Sequence, residues 1–268
     1  IDKLAGAPAT VEVRLRMVRA RLELGDVAAA TGELTLAGRL AADPHDWRLR
    51  WYRGLIELTA RRLPEARASF DAVYDALPGE AAPKLALGII AEYQRDVFAA
   101  ARYYELVWRT DHSYVSAAFG LARVYLAQGA RVGAIEVLES VSDSSSHYVP
   151  AQVAAIRVKT RGQEPARVAE IDLRDAAQRL ERLALDAERR AQLAAELLET
   201  AFAWVRAGKP GAVPSGGDGR ILGYGLSERD LRFGLEYCYR VLARLATTRE
   251  HRHELVDRAN KIRPRTLT

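Results

Sequence analysis

An all-α fold is predicted for this chain of 268 residues: paired helices in series over the first half, then a helical extension. Three observations carry that prediction. Small residues recur at an interval of 34, at Ala20, Gly54, Gly88 and Ala122. A second small column, Gly32, Ala66, Ala100 and Ala134, keeps the same interval, and a bulky one, Leu36, Phe70, Tyr104 and Leu138, stands four residues beyond it. Runs of Val, Ile and Thr with alternating polarity, the mark of a strand, are absent.

The columns define four units, about 13–46, 47–80, 81–114 and 115–148. Each reads as two antiparallel helices whose axes approach closely only where small residues meet at the crossing. The bulky residue four positions on fills the space beside it, on the same helical face. Pro44 and Pro78 end the first two units because a proline ring cannot continue a helix; Asp111 and His112 stand there in the third. One pair cannot cover its own apolar face, so neighbours must stack. This spacing is the tetratricopeptide pattern, which predicts a right-handed superhelical solenoid over residues 1–148.

The period breaks after "SVSDSSSHYVP", and residues 149–268 read as a helical extension. Asp172 and Asp186 are placed to cap helices, and Ser227 with Asp230 and Thr247 with Glu250 resemble capping boxes. Between the helices, residues 208–226 begin "GKPGAVPSGGDGRILGYG" and read as a flexible surface connection. The stretch is no phosphate cradle. Lys209 is followed by Pro210 where a P-loop needs Ser or Thr, and Gly217, Gly219 and Gly223 miss the dinucleotide spacing.

Apolar residues make up 49% of the chain and charged ones 28%, which excludes wholesale disorder. No run approaches the roughly 20 apolar residues of a membrane span. The only methionine is Met17, so the chain reads as a piece of a longer protein. A single cysteine, Cys238, excludes an internal disulfide and a multi-cysteine zinc site, and its amphipathic surroundings suit a buried structural thiol. His251 and His253 are two apart, which on a helix turns them to different faces, and His45, His112 and His147 fall at turns. The serines of "SDSSS" have no base to activate them. Asp186, Glu188 and Glu196 read as a solvated helix face. No catalytic residues, metal ligands or cofactor site are expected.

Binding is the better prospect. In stacked helix pairs the first helix of each unit lines a concave face. The period places Arg14, Met17, Arg21, Arg48, Trp51, Leu55, Leu85, Ile89, Phe119 and Arg123 there. Arginines among apolar and aromatic side chains suit a peptide or an acidic protein segment. Packing of Trp51 and Phe119 against neighbouring repeats is the plainer alternative. Residues 1–148 carry 18 Lys/Arg against 19 Asp/Glu, and residues 149–268 carry 22 against 16. That basic excess is interleaved with acids, as in "RDAAQRLERLALDAERR", which argues against nucleic acid and for another domain or an acidic partner.

"ILGYGLSERDLRFGLE" and "REHRHELVDRANKIRPRTLT" resemble the C-terminus of the actinobacterial protein kinase G family, with Leu255 to Pro264 the most telling stretch. The resemblance implies a soluble, cytoplasmic serine/threonine kinase whose rubredoxin-like and kinase domains lie upstream. It implies that these repeats support recruitment of an FHA-domain regulator of glutamate and 2-oxoglutarate metabolism, self-association, and bracing of the kinase domain. The fragment itself would not be an enzyme. A free-standing tetratricopeptide adaptor for a peptide or partner protein is the alternative.

Overall fold

The computed structural model describes residues 9–209 and 219–264. Among these are thirteen α-helices, one 3-10 turn at Pro165–Arg167 and one two-residue-stranded hairpin. The chain divides between Ala130 and Arg131 into two compact units.

The first unit holds α1 (Val11–Glu23), α2 (Val27–Leu40), α3 (Trp47–Thr59), α4 (Leu63–Ala76), α5 (Ala81–Tyr93), α6 (Val97–Thr110) and α7 (Val115–Ala127). Consecutive helices pack as antiparallel neighbours, joined within each pair by a tight turn. Each turn uses one residue with positive φ, namely Gly25, Arg61 and Arg95, and Gly129 with positive φ follows α7. The residue after it caps the next helix in two cases, where Asp26 and Asp96 each accept 3.0 Å bonds from the amides of Ala29 and Ala99.

These turns show where a strict period fails. Gly25 and Arg61 are 36 residues apart, whereas Arg61, Arg95 and Gly129 keep the interval of 34. The connection at 41–46, which contains Pro44, holds the two extra residues. The first pair therefore begins at Val11 rather than 13, and its column residues move by two. Val18 and Ala30, not Ala20 and Gly32, are the fully buried crossing residues of α1 and α2. Gly32 faces open space, and Leu36 is 37% exposed where the half-buried Leu34 packs in the core.

In later pairs the columns hold. Ala66, Ala100, Phe70 and Tyr104 are buried to 1% exposure or less. A Cβ on Gly54 would stand 2.8 Å from the Phe70 ring, and one on Gly88 would stand 2.9 Å from that of Tyr104. From the other side, a Cβ on Gly120 of α7 would meet the same Tyr104 ring at 2.7 Å. One aromatic ring thus occupies the space that two glycines leave open.

The second unit comprises α8 (Arg131–Glu139), α9 (Tyr148–Thr160), α10 (Glu170–Arg182), α11 (Ala187–Arg206), α12 (Glu228–Leu245) and α13 (Arg249–Ile262). Its core is one cluster around Leu173, Leu180, Leu197, Leu198, Trp204 and Leu231. Arg131 donates to the carbonyls of Val158, Arg161 and Gly162, closing the C-terminal end of α9 where backbone acceptors lack helical partners. Lys159 bridges Glu139 and Asp175, and Arg179 reaches the same two carboxylates at 2.9 and 2.8 Å, tying α8, α9 and α10 together.

Four expectations change here. Asp172 lies inside the first turn of α10, which starts at Glu170 without a side-chain cap. Thr248, not Thr247, caps α13, because the helix begins one residue later and the His251 amide reaches the Thr248 hydroxyl at 3.3 Å. Glu196 is not on a solvated face: it is buried between Arg157 at 2.9 Å and Arg161 at 3.3 Å. Residues 219–226 fold back rather than running open. Strands β1 (Arg220–Ile221) and β2 (Tyr224–Gly225) pair through a two-residue turn, Leu222 and Gly223, with φ of 50° and 82°. Two positive φ values in that position mark a hairpin turn of the primed type. Gly234 of α12 lets the Tyr224 ring lie against the helix, since a Cβ there would stand 2.8 Å from Cδ2. The remainder of the expected flexible connection, residues 210–218, lies outside the described residues, as does Arg265 of the basic end.

Candidate binding surface

The faces of α3, α5 and α7 carry two columns at the interval of 34. Trp51, Leu85 and Phe119 form one, and Leu55, Ile89 and Arg123 the other. The five apolar members are each half-buried. Trp51 leans on Phe70 edge to face, with ring centroids 5.1 Å apart, and Leu55 packs on the same cluster around Phe70, Leu87 and Ile90. Such residues hold the repeat together with one side and offer the other to solvent, so the packing role and the presented surface coexist.

The arginines are already partnered. Arg123 grips Glu92 with two bonds of 2.8 and 2.9 Å, and Glu92 also accepts from the Tyr104 hydroxyl at 2.8 Å. The Arg123 bonds and then the tyrosine hydroxyl hold the Glu92 carboxyl below its ordinary range. Burial first, then Glu92, pushes the Tyr104 phenol up. Arg48 is clamped by Asp46 at 2.6 Å and by Glu12 at 2.9 Å. Arg14 meets Glu33 at 2.8 Å, and Arg21 stands 3.7 Å from Asp26. An acidic peptide arriving at this face would have to displace internal carboxylates. The surface therefore suits apolar side chains better than acidic ones.

Met17 does not belong to it. It is 5% exposed, in the core of the first pair. With the offset of two residues, Glu12 and Leu15, not Arg14 and Met17, are the α1 positions equivalent to Arg48 and Trp51, and Leu15 is buried too, at 4% exposure. The Glu12–Arg48 pair was missed by sequence reasoning although its separation of 36 carried the signal. Glu92 was missed too; it stands three residues beyond the Ile89 column, on the side that faces the next repeat.

In the second unit, Cys238 is buried, and that burial pushes its thiol up to about 11. It borders a cavity of about 390 Å³ among Leu180, Ala194, Leu198, Leu222 and Tyr237. His251 and His253 are exposed. No cluster of metal-ligating side chains occurs among the described residues, nor any described helix long and apolar enough to cross a membrane.

A family model described as "Protein kinase G tetratricopeptide repeat" matches residues 2–266. The serine/threonine-protein kinase PknG of Mycolicibacterium smegmatis is 38% identical over 256 residues, covering 95% of this chain and 32% of that protein. PknG of Mycobacterium leprae is 39% identical with the same coverage. The chain thus spans about a third of the length of the curated relatives it matches. Among solved structures, the C-terminal part of a TPR repeat-containing protein from Cytophaga hutchinsonii aligns with a TM-score of 0.65 at 12% identity, covering 93% of this chain and 90% of that one. A tetratricopeptide repeat protein from Parabacteroides merdae aligns at 0.50 and 13%, covering 93% and 98%. These structural likenesses concern the fold.

Proposed function

Because the chain belongs to the protein kinase G tetratricopeptide repeat family, we propose that it is the non-catalytic interaction region of a serine/threonine protein kinase of the cytoplasm. Its first-helix face docks a protein partner, either the FHA-domain regulator that the kinase modifies or the kinase's own catalytic domain, and self-association is a further role of the region. The observation that supports this reading is the aligned, half-exposed column Trp51, Leu85 and Phe119. Aromatic side chains of this kind supply large contact area at little entropic cost when they anchor a partner. The kinase names of relatives about three times the length of the matched region favour it over a free-standing adaptor.

The test is a calorimetric titration of this chain with the FHA-domain regulator of the same organism, at near-physiological salt. Saturable binding that Trp51→Ala and Phe119→Ala weaken about tenfold each, with helical content unchanged, is the expected result. No binding by the unaltered chain would remove the recruiting role and leave self-association or bracing of the catalytic domain.

A further inference from the structure

A second surface lies on the edge of the first unit, at the turns inside the helix pairs, away from the column just described. Three of these turns have the same backbone. Their capping residues Asp26, Arg62 and Asp96 have φ, ψ of −86°, 77°; −86°, 75°; and −81°, 78°. The first turn fills this geometry with Gly25 and Asp26, the residues it calls for: glycine for positive φ, aspartate for the free amides of the next helix. The second turn fills it with Arg61 and Arg62, and the third with Arg95 and Asp96.

Stability does not explain the arginines. Arg61 and Arg95 both sit at φ of 60°, a region that side chains with a Cβ avoid. Arg62 gives α4 no side-chain cap and puts a cation at the positive end of the helix dipole. When local rules fail together at one place, function is the usual reason.

The same edge is apolar and open. Phe98 is 78% exposed and Tyr93 is 51% exposed. The Arg61 guanidinium lies 4.4 Å above the Tyr93 ring, whereas Arg62 and Arg95 enter no ion pair among the described residues. Asp96, the acid beside them, is engaged as a cap. The edge thus presents the cations Arg61 and Arg95 with two open aromatic rings, whereas Arg62 lines a recess with Thr31, Thr35 and Arg53 on the side of the preceding pair.

We propose that this edge docks an acidic segment of a partner protein, its carboxylates on Arg61 and Arg95 and an apolar side chain on the open rings of Tyr93 and Phe98. Charge selects the occupant. Residues 1–130 carry 17 Lys/Arg and 16 Asp/Glu, so the attraction is local and suits a short acidic stretch. A duplex or an anionic bilayer needs a broad positive field that this unit lacks.

The experiment uses a fluorescent Glu-rich peptide containing one Phe, titrated against the chain by anisotropy. The double variant Arg61→Gly, Arg95→Gly gives both turns the glycine of the first repeat, so it folds at least as well as the parent. The expected result is saturable, salt-sensitive binding that the double variant loses by about tenfold or more while its unfolding midpoint rises. Equal binding by the double variant, or no binding by the parent, overturns the proposal. Tighter binding of phosphatidylserine vesicles or duplex DNA through the same two arginines overturns the choice of partner. The double variant leaves the first-helix face intact, so titration with the FHA-domain regulator fails or succeeds independently.

Discussion

The same chemical change, glycine to alanine, should have opposite effects at two helix positions of the first unit. At Gly32, inside α2, an added Cβ meets nothing within 4 Å. The variant then gains only the lower backbone entropy of its unfolded chain, about 0.5–1 kcal/mol of stability. At Gly120 the Cβ would stand 2.7 Å from two atoms of the Tyr104 ring, well inside contact distance. The ring is 1% exposed and has little room to withdraw, because Gly88 already receives its Cδ1–Cε1 edge. Overpacking costs about 1–3 kcal/mol, which outweighs the propensity gain and leaves a net loss of about 1 kcal/mol. The two variants should then differ by about 2 kcal/mol, or about 1 M in urea midpoint. Tryptophan fluorescence is a suitable probe, since Trp47, Trp51 and Trp108 lie in this unit and Trp204 alone in the other. In a Tyr104→Ala background the Gly120→Ala penalty should vanish. Midpoints that move in the same direction, or a penalty that persists without the ring, would refute the packing account.

Two further expectations concern titration and reactivity. Arg123 holds the Glu92 carboxyl below its ordinary value of 4.5, so the pair's stabilisation is full above that pH and is lost as pH falls through the depressed value. The stability gap between the parent and Arg123→Ala should therefore be widest near neutrality and close as pH falls through that depressed value; urea midpoints from neutral to acid pH check it, and a gap independent of pH would discount the pair. The Cys238 thiol, pushed up to about 11 by burial, should resist a disulfide reagent at pH 8 until denaturant is added, and prompt reaction of the folded chain would contradict that burial.

How far the sequence could be read depended on whether distance along the chain tracked distance in space. From α3 to α7 the interval of 34 holds, and Gly54, Ala66, Phe70, Gly88, Ala100 and Tyr104 fall where the columns put them. Two extra residues in the connection at 41–46 broke that relation for α1 and α2. An offset of two residues is about 200° around a helix, enough to carry a residue from one face nearly to the opposite one. Met17, assigned to a binding face, is buried, and so is Leu15, the residue that the offset puts in its place. Glu196 was misread for a different reason. Its partner Arg157 lies 39 residues away, and no local pattern announces so distant a pair. The hairpin at 220–225 escaped notice because two residues per strand are too few to show alternation. The arginines of the turns were visible as letters but not as exceptions, since only the backbone shows that their positions favour glycine and aspartate.

The Tyr104 ring between Gly88 and Gly120 also restricts the order in which these repeats can change over generations. Either glycine gains a side chain only at a cost in stability while the ring is present, yet the ring can shrink at any time and leave room for either. Substitution is easier in one sequence than in the reverse. A lineage that fills the glycine sites after losing the ring regains the ring only against those side chains, so the three positions change as a set.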